Sequence, residues 1–144
     1  MIATLRGTIL EKNTDGVVLE VSNVGYAVTL SASGLAALPS LGEEVLLHIV
    51  ESVPMYGGGV SYYGFIQTEE KQVFNALKDH VPGTGAKKAM EFLEKASKSL
   101  PDFRRAVLDK DSRSLVSLFG FTPKTAEKIV HGLQGKLETV PFKG

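Results

Sequence analysis

Short runs of apolar residues alternate with turn residues through the first 66 positions of this 144-residue chain. The runs are rich in Val, Ile, Leu, Thr and Tyr, and Gly, Asn or Pro separates one run from the next. This pattern predicts five short β-strands, with one helical turn at residues 33–38 between the third and the fourth. The predicted strands cover residues 2–10, 17–21, 26–30, 45–53 and 60–65.

The spacing of apolar residues changes to a helical period after residue 66. Thr68, followed by two glutamates, favours the start of a helix. Two further short helices are predicted at residues 101–108 and 112–118. The clearest apolar stripe has positions i, i+3, i+4, i+7 and i+11, occupied by Ala126, Ile129, Val130, Leu133 and Leu137.

These patterns predict an α+β protein whose two classes of structure are separated by domain. Residues 1–66 are expected to form a five-stranded OB-fold β-barrel, and a small sandwich is the alternative. Residues 67–140 are expected to form an all-α domain. Residues 141–144 are expected to be a tail or the start of a linker.

The helical half contains an internal repeat, in which residues 81–89 align with residues 118–126. In each copy an apolar residue precedes a glycine turn, a lysine follows the glycine by four positions, and an alanine lies in the next helix. The matched pairs are Gly83 with Gly120, Lys87 with Lys124 and Ala89 with Ala126.

Charge is distributed unevenly between the two halves. Residues 1–66 carry two basic and six acidic side chains, a net charge of −4, whereas residues 67–144 carry 14 basic and ten acidic side chains, a net charge of +4. This asymmetry indicates a polyanionic partner for the second half, or a chance difference between two small halves. The chain has no cysteine, no signal-peptide pattern and no long apolar run, which predicts a cytoplasmic protein without a membrane partner.

The repeated turn has the chemistry of an anion site. A glycine turn that leads into a helix presents unpaired backbone N–H groups at the positive end of the helix dipole, and a nearby lysine adds a mobile charge. The arrangement resembles the helix-hairpin-helix motif, which holds a nucleic-acid backbone without recognising bases. Thr122 stands where a second glycine is expected in the second copy. The alternative interpretation is an ordinary tight turn with solvated lysines.

No other constellation indicates an active site. The three histidines are scattered, and no cysteine or close carboxylate cluster predicts a metal or a cofactor. Asp109 and Asp111 flank Lys110 and are expected in a loop, where an N-cap is the ordinary role. The barrel half contains only Arg6 and Lys12 as basic residues, so it is expected to be a scaffold or an oligomer interface, and not a single-strand binder.

A barrel followed by paired hairpins resembles the RuvA family of bacterial Holliday-junction proteins. Beyond the two hairpins, the matching segments are Met1-Ile2, Leu5-Arg-Gly7, Asn23-Val-Gly-Tyr26 and Tyr63-Gly-Phe65. The resemblance implies an OB-fold followed by a tandem helix-hairpin-helix domain, and a homotetramer that opens a four-way DNA junction in recombination and repair. It also implies that enzyme activity belongs to a hexameric ATPase motor, RuvB, and that this subunit is a non-catalytic, structure-specific DNA clamp.

The resemblance assigns roles to individual residues. In the first hairpin, the DNA-backbone-binding positions are Gly83, Gly85, Lys87 and Lys88; in the second hairpin, they are Gly120, Thr122, Lys124 and Lys128.

Three features depart from the family pattern. The family carries an acidic pair on the hairpin between strands four and five, at the junction centre, whereas Tyr56, Gly57 and Gly58 stand near this pin position here. The chain ends where a linker to the family's motor-binding domain would begin, so it is expected to be truncated or to lack that contact. The spacing between Leu77 and Gly83 is one residue longer than the family's, which predicts a bent first hairpin.

Two alternatives to a junction-binding subunit follow from the same residues. A general duplex DNA-architectural or repair-scaffold protein would use the hairpins without junction specificity. A structural interaction protein would use them as packing turns alone.

Overall fold

The computed structural model of the chain describes residues 1–137. Residues 138–144, which include the predicted tail at 141–144 and the end of the predicted helical domain, lie outside the described residues. The chain divides into two compact units, Met1–Lys71 and Gln72–Gly144. The division lies five positions after the predicted boundary at residue 66.

The first unit contains a closed barrel. Its elements are β1 (Thr4–Lys12), β2 (Gly16–Val21), β3 (Val24–Thr29), α1 (Ala32–Ala36), β4 (Glu44–Ser52) and β5 (Ser61–Phe65). The strands follow the order β1-β2-β3-β5-β4, and β4 pairs back with β1. Neighbouring strands are antiparallel except β3 and β5, which are parallel. Closure in this order confirms the predicted OB-fold and excludes the sandwich.

The core of the barrel comes from one face of each strand. Because side chains alternate along a strand, every second residue of β1 is buried at Leu5, Gly7 and Ile9. Burial of each large aliphatic side chain contributes about 1.5–3 kcal/mol. The other buried apolar members of the barrel core are Val17, Leu19, Val28, Leu30, Leu38, Leu47 and Ile49.

The turn between β2 and β3 lies earlier than predicted. Ser22 and Asn23 have φ angles of 50° and 70°, the backbone conformation that a two-residue type I′ hairpin turn requires. Asparagine adopts this conformation more readily than most residues. The third strand therefore begins at Val24 and includes Gly25, and its prediction to begin at Tyr26 was wrong by two residues.

The described part of the second unit is helical. The two short helices predicted at residues 101–108 and 112–118 are present, and each end agrees to within one residue. The helices are α2 (Thr68–His80), which contains the boundary between the units, α3 (Ala86–Ala96), α4 (Leu100–Leu108), α5 (Ser112–Ser117) and α6 (Pro123–Gly132).

Helix α6 ends five residues before the apolar stripe does. Gly135 has a φ of 73°, which is incompatible with a right-handed helix. The side-chain amide of Gln134 holds the chain here, because its Nε2 donates a hydrogen bond to the backbone oxygen of Val107 at 2.6 Å. Leu133 and Leu137 are both fully buried. The stripe therefore predicted correctly that all five residues are buried, but the prediction that Leu133 and Leu137 continue the helix was wrong.

Candidate nucleic-acid interface

The second repeated turn, between α5 and α6, changes the chain direction at a single glycine. Gly120 has a φ of 81°; its N–H donates to the oxygen of Val116 at 3.1 Å, and the N–H of Phe121 donates to the oxygen of Leu115 at 3.2 Å. The first of these bonds runs four positions back, as in the αL motif that ends a helix, and the second runs six positions back to the same last turn of α5. A non-glycine residue at position 120 would have to adopt a strained left-handed conformation.

Aromatic packing anchors this second turn in the core. Phe119 and Phe121, on either side of the glycine, are both 2% exposed. The ring of Phe103 contacts both, at centroid distances of 5.8 and 6.2 Å. The backbone of the turn therefore faces outward on a fixed apolar support.

The first repeated turn, between α2 and α3, uses different hydrogen bonds. Gly83 has a φ of 72° and is exposed. Pro82 has no N–H to donate and disfavours helical geometry at the preceding residue, so α2 ends before it. The N–H of Thr84 instead donates to the oxygen of Val81 at 3.2 Å, which forms a separate tight turn. The bend predicted for the first hairpin remains a prediction.

The two helix N-termini differ in how far they are capped. The hydroxyl of Thr122 accepts a hydrogen bond from the N–H of Thr125 at 3.2 Å, which caps α6. Gly85 is the N-cap of α3, and among the described residues no side chain accepts from the first turn of that helix. The first N–H groups of α3 are therefore available to an anion, whereas one of those of α6 is already bonded. The first hairpin offers the more complete anion site.

The predicted lysines lie beside these N-termini on the solvent side. Each of the four is exposed, and within residues 1–137 none has a carboxylate within 4.0 Å. The paired alanines, Ala89 and Ala126, are fully buried. Each helix therefore packs its alanine inward and presents charge outward. The lysines concerned are Lys87, Lys88, Lys124 and Lys128.

Helix α3 connects the two turns. It begins at the first turn, and near its end Lys95 donates to the oxygen of Gly120 at 3.1 Å, with its ammonium 5.5 Å from the ring centre of Phe121. Lys98 donates to the oxygen of Leu118 at 3.5 Å. A rise of 1.5 Å per residue places the two turns on the order of 15 Å apart along α3. Sequence patterns did not indicate either lysine, because their partners lie 25 and 20 positions away along the chain.

The first repeated turn contains a buried polar atom. Thr84 is 8% exposed, and its hydroxyl has no hydrogen-bond partner among the described residues. Phe121 takes the corresponding buried position in the second copy.

Replacing Thr84 with valine is expected to stabilise the protein by about 1 kcal/mol, because a buried hydroxyl without a partner costs roughly that amount and valine has the same shape. Thermal unfolding monitored by circular dichroism should show a midpoint a few degrees above that of the parent. Thr125→Val is the control, since the hydroxyl of Thr125 is hydrogen-bonded to Thr122. A midpoint for Thr84→Val at or below the parent value would contradict the unsatisfied state of this hydroxyl.

The residues at the predicted pin position lie in the connection between β4 and β5. We call residues 53–60 the β4–β5 tip. Tyr56 is 97% exposed, and Gly57 and Gly58 have φ angles of 90° and 97°. The tip belongs to the first unit, whereas both repeated turns belong to the second.

The loop before α5 holds a cap and not a metal site. The carboxylate of Asp111 accepts from the hydroxyl of Ser114 at 2.6 Å and from its N–H at 3.1 Å. These two bonds, the hydroxyl first, lower the pKa of Asp111. Across residues 1–137, no group of three or more His, Asp or Glu side chains is placed to hold a metal ion, and no described helix is long and apolar enough to cross a membrane.

Comparison with known proteins connects this geometry to one family. Residues 1–54 match the model of the RuvA N terminal domain. A Holliday junction branch migration complex subunit RuvA from Elusimicrobium minutum is 44% identical over 144 residues, which are 100% of this chain and 70% of that protein. The RuvA subunits of Endomicrobium trichonymphae and of an Anaeromyxobacter species are 43% and 39% identical, over 97% and 95% of this chain and 69% and 67% of their own lengths.

These matches extend through the barrel, both repeated turns and the three helices between them. Identity at this level over at least two thirds of each relative confirms the resemblance inferred from the sequence. The chain belongs to the RuvA family.

Proposed function

We propose that this chain is a non-catalytic, structure-specific DNA-binding subunit that recognises four-way (Holliday) junctions through backbone phosphates. Its role lies in DNA recombination and repair, where a RuvB-like ATPase motor supplies the enzyme activity. The observation that carries the proposal is the pair of outward-facing glycine turns, each followed by exposed lysines at a helix N-terminus. The relatives' shared name, branch migration complex subunit, supports it.

In this proposal each hairpin binds one stretch of phosphate backbone. The glycines allow the backbone to approach a phosphate closely, the free N–H groups of the helix donate to its oxygens, and the lysines contribute charge. The first hairpin uses Gly83, Gly85, Lys87 and Lys88, and the second uses Gly120, Thr122, Lys124 and Lys128.

The charge of the two halves supports the hairpins over the barrel as the DNA-binding surface. The helical half has a net charge of +4 and the barrel half −4. One of the two basic residues of the barrel, Arg6, pairs with Glu44 at 3.7 Å. A negative barrel repels phosphates, so its proposed role is a scaffold and an oligomer interface.

We further propose that the working form is a cytoplasmic homotetramer. Fourfold repetition would bring two hairpins per subunit to each arm of a junction. Many weak phosphate contacts then add up to a tight complex whose affinity falls steeply with salt. Junction preference would arise from the geometry of the assembly, because phosphate contacts by themselves carry no information on sequence or branch structure.

Competitive band-shift titration tests this function. The parent protein should bind a four-way junction at least about tenfold more tightly than a duplex or a single strand of equal length, with a steep loss of affinity between 50 and 200 mM salt. Equal binding to junction and duplex would instead support a general duplex-architectural protein. Absence of binding to all three DNAs would contradict any phosphate-binding role of the two turns.

A further inference from the structure

The second repeated turn has fewer backbone donors for an anion than the first. Pro123, the first residue of α6, has no N–H, and the N–H of Thr125 bonds to the hydroxyl of Thr122 at 3.2 Å. Two of the donors that the first turn of a helix normally leaves free are therefore unavailable in α6. A phosphate held at this turn needs donors from another part of the chain.

The carbonyl groups of the second turn oppose anion binding. Leu118 and Gly120 are exposed, and they stand four and two positions before Thr122, the N-cap of α6. Backbone oxygens at the end of a helix carry partial negative charge, so these two oxygens repel a phosphate that approaches the N-terminus of α6. The turn can hold a phosphate tightly only if nearby cations neutralise them.

The end of α3 and the segment after it supply two such cations. The ammonium of Lys95 donates to the oxygen of Gly120 at 3.1 Å, and that of Lys98 donates to the oxygen of Leu118 at 3.5 Å. The Lys95 ammonium also lies 5.5 Å from the ring centre of Phe121, within the range of a cation–π contact. Two contacts therefore hold the charge of Lys95 at the second turn before any DNA binds.

Both ammonium groups keep unused donors. A lysine ammonium has three N–H groups, and the bond to a turn carbonyl uses one of them. Lys95 and Lys98 are exposed, and within residues 1–137 neither has a carboxylate within 4.0 Å. The chain spans at most about 7 Å from Gly120 to Thr122, which places the Lys95 ammonium at most about 10 Å from the N-cap of α6. A phosphate that accepts hydrogen bonds on two sides spans most of this distance.

We propose that Lys95 and Lys98 bind the DNA backbone and complete the phosphate site of the second hairpin. Each uses one N–H group to neutralise a turn carbonyl and presents the others to a phosphate oxygen. The inference rests on the proposed function, because it adds two cations to a hairpin that must itself bind DNA. The ligand is a backbone phosphate, so the contribution of the two lysines is the same on a junction arm and on an ordinary duplex.

Substitution by methionine tests the proposal, because it removes the charge and keeps a flexible stem. The full chain with Lys95→Met should bind a four-way junction and a matched duplex about tenfold more weakly than the parent, the lower end of the range for one charge-assisted hydrogen bond. The slope of the logarithm of the binding constant against the logarithm of the salt concentration should become less steep by about 0.9. Lys98→Met should show a smaller loss, since its carbonyl contact is longer.

Lys110→Met is the matched control. It removes the same charge from an exposed position in the loop between α4 and α5. It should weaken binding by less than about threefold, the size of a long-range charge effect in salt.

Lys95→Arg separates the charge from the fold. It should keep the parent affinity and salt slope, because a guanidinium also donates to a carbonyl and to a phosphate. Circular dichroism should show parent-like unfolding for Lys95→Met and Lys95→Arg, since the position is exposed and either stem can cover the ring of Phe121.

Chemical labelling gives a second measurement on the parent protein. Acetylation of lysine amines, followed by mass spectrometry, compares the free chain with the same chain bound to a four-way junction. Lys95 and Lys98 should lose most of their reactivity in the complex, because a phosphate covers their ammonium groups. Lys110 should react as it does in the free chain.

The inference fails in three distinguishable ways. If Lys95→Met matches the parent in affinity and salt slope while the parent prefers junctions, the two lysines only cap the turn and the proposed function stands. If its affinity falls but its salt slope and the labelling of Lys95 in the parent do not change on binding, Lys95 positions the turn without contacting a phosphate. If the parent binds no DNA, the proposed function fails and this inference fails with it.

Discussion

The double variant Lys87→Glu/Lys124→Glu is expected to bind a four-way junction at least about 100-fold more weakly than the parent. Each substitution removes a cation beside a helix N-terminus and places a carboxylate where a phosphate should bind. A charge-assisted hydrogen bond contributes about 1.5–3 kcal/mol, so two such losses amount to at least about 3 kcal/mol. Both side chains are exposed, and the fold should be unaffected.

The single variants divide this effect between the hairpins. Lys87→Glu should weaken binding more than Lys124→Glu, because the N–H groups of α3 are uncapped whereas Thr122 already caps α6. Band-shift titration at several salt concentrations gives the slope of the logarithm of the binding constant against the logarithm of the salt concentration. This slope should be less steep in the variants, by about 0.9 for each phosphate that the variant no longer neutralises.

Lys110→Glu is the matched control for this series. Lys110 is exposed in the loop between α4 and α5, away from both repeated turns in the sequence, and its substitution changes the net charge by the same amount. It should weaken junction binding by less than about threefold, the size of a long-range charge effect in salt. If Lys110→Glu weakens binding as much as Lys87→Glu, the effect is one of net charge. If the double variant binds like the parent, the turns do not hold the DNA.

Gly132→Ala is expected to lower the free energy of unfolding of the helical unit by about 2–3 kcal/mol, the cost of forcing extra volume into a packed contact. A Cβ atom at this last residue of α6 would overlap the carbonyl oxygen of His80, at the end of α2. Because the contact is with backbone, no side-chain rotation can relieve it. The substitution should therefore separate the ends of two helices that lead into and out of the repeated hairpins.

Urea unfolding monitored by circular dichroism measures this loss of stability. Gly85→Ala is the control, because a Cβ atom there meets no atom within 4 Å and the backbone φ of −91° suits any residue. It should change stability by less than about 1 kcal/mol. If Gly132→Ala is as stable as the parent, the ends of α2 and α6 are not in the close backbone contact described here, and this account of the contact is wrong.

Local patterns were sufficient to predict most of the fold. Runs rich in Val, Ile, Leu, Thr and Tyr identified the strands, and turn residues separated them, because both signals act over a few positions. The β2–β3 turn was misplaced because the whole segment Asn23-Val-Gly25 was taken as the breaker, whereas Ser22 and Asn23 form the turn and Gly25 lies in β3. The end of α6 was misplaced because Leu133 and Leu137 are buried whether or not the chain between them is helical.

The candidate site was predictable in outline for the same reason. The internal repeat pointed to both glycine turns, and Gly83 and Gly120 both have the positive φ that the turns need. The contacts of Lys95 and Lys98 with the second turn were not predictable, since they depend on tertiary packing. In the sequence, the only sign that α6 is capped and α3 is not was Thr122, which stands where the motif has a second glycine.

The most direct test of backbone binding by the two turns is a titration of the ¹⁵N-labelled full chain with a short DNA duplex that represents one junction arm. Amide resonances report on individual N–H groups, which are the proposed phosphate donors. The largest shifts should occur at Gly85, Ala86 and Lys87 in the first turn and at Thr122 and Lys124 in the second. Shifts confined to the barrel, with both turns unchanged, would contradict the proposal that these turns hold DNA.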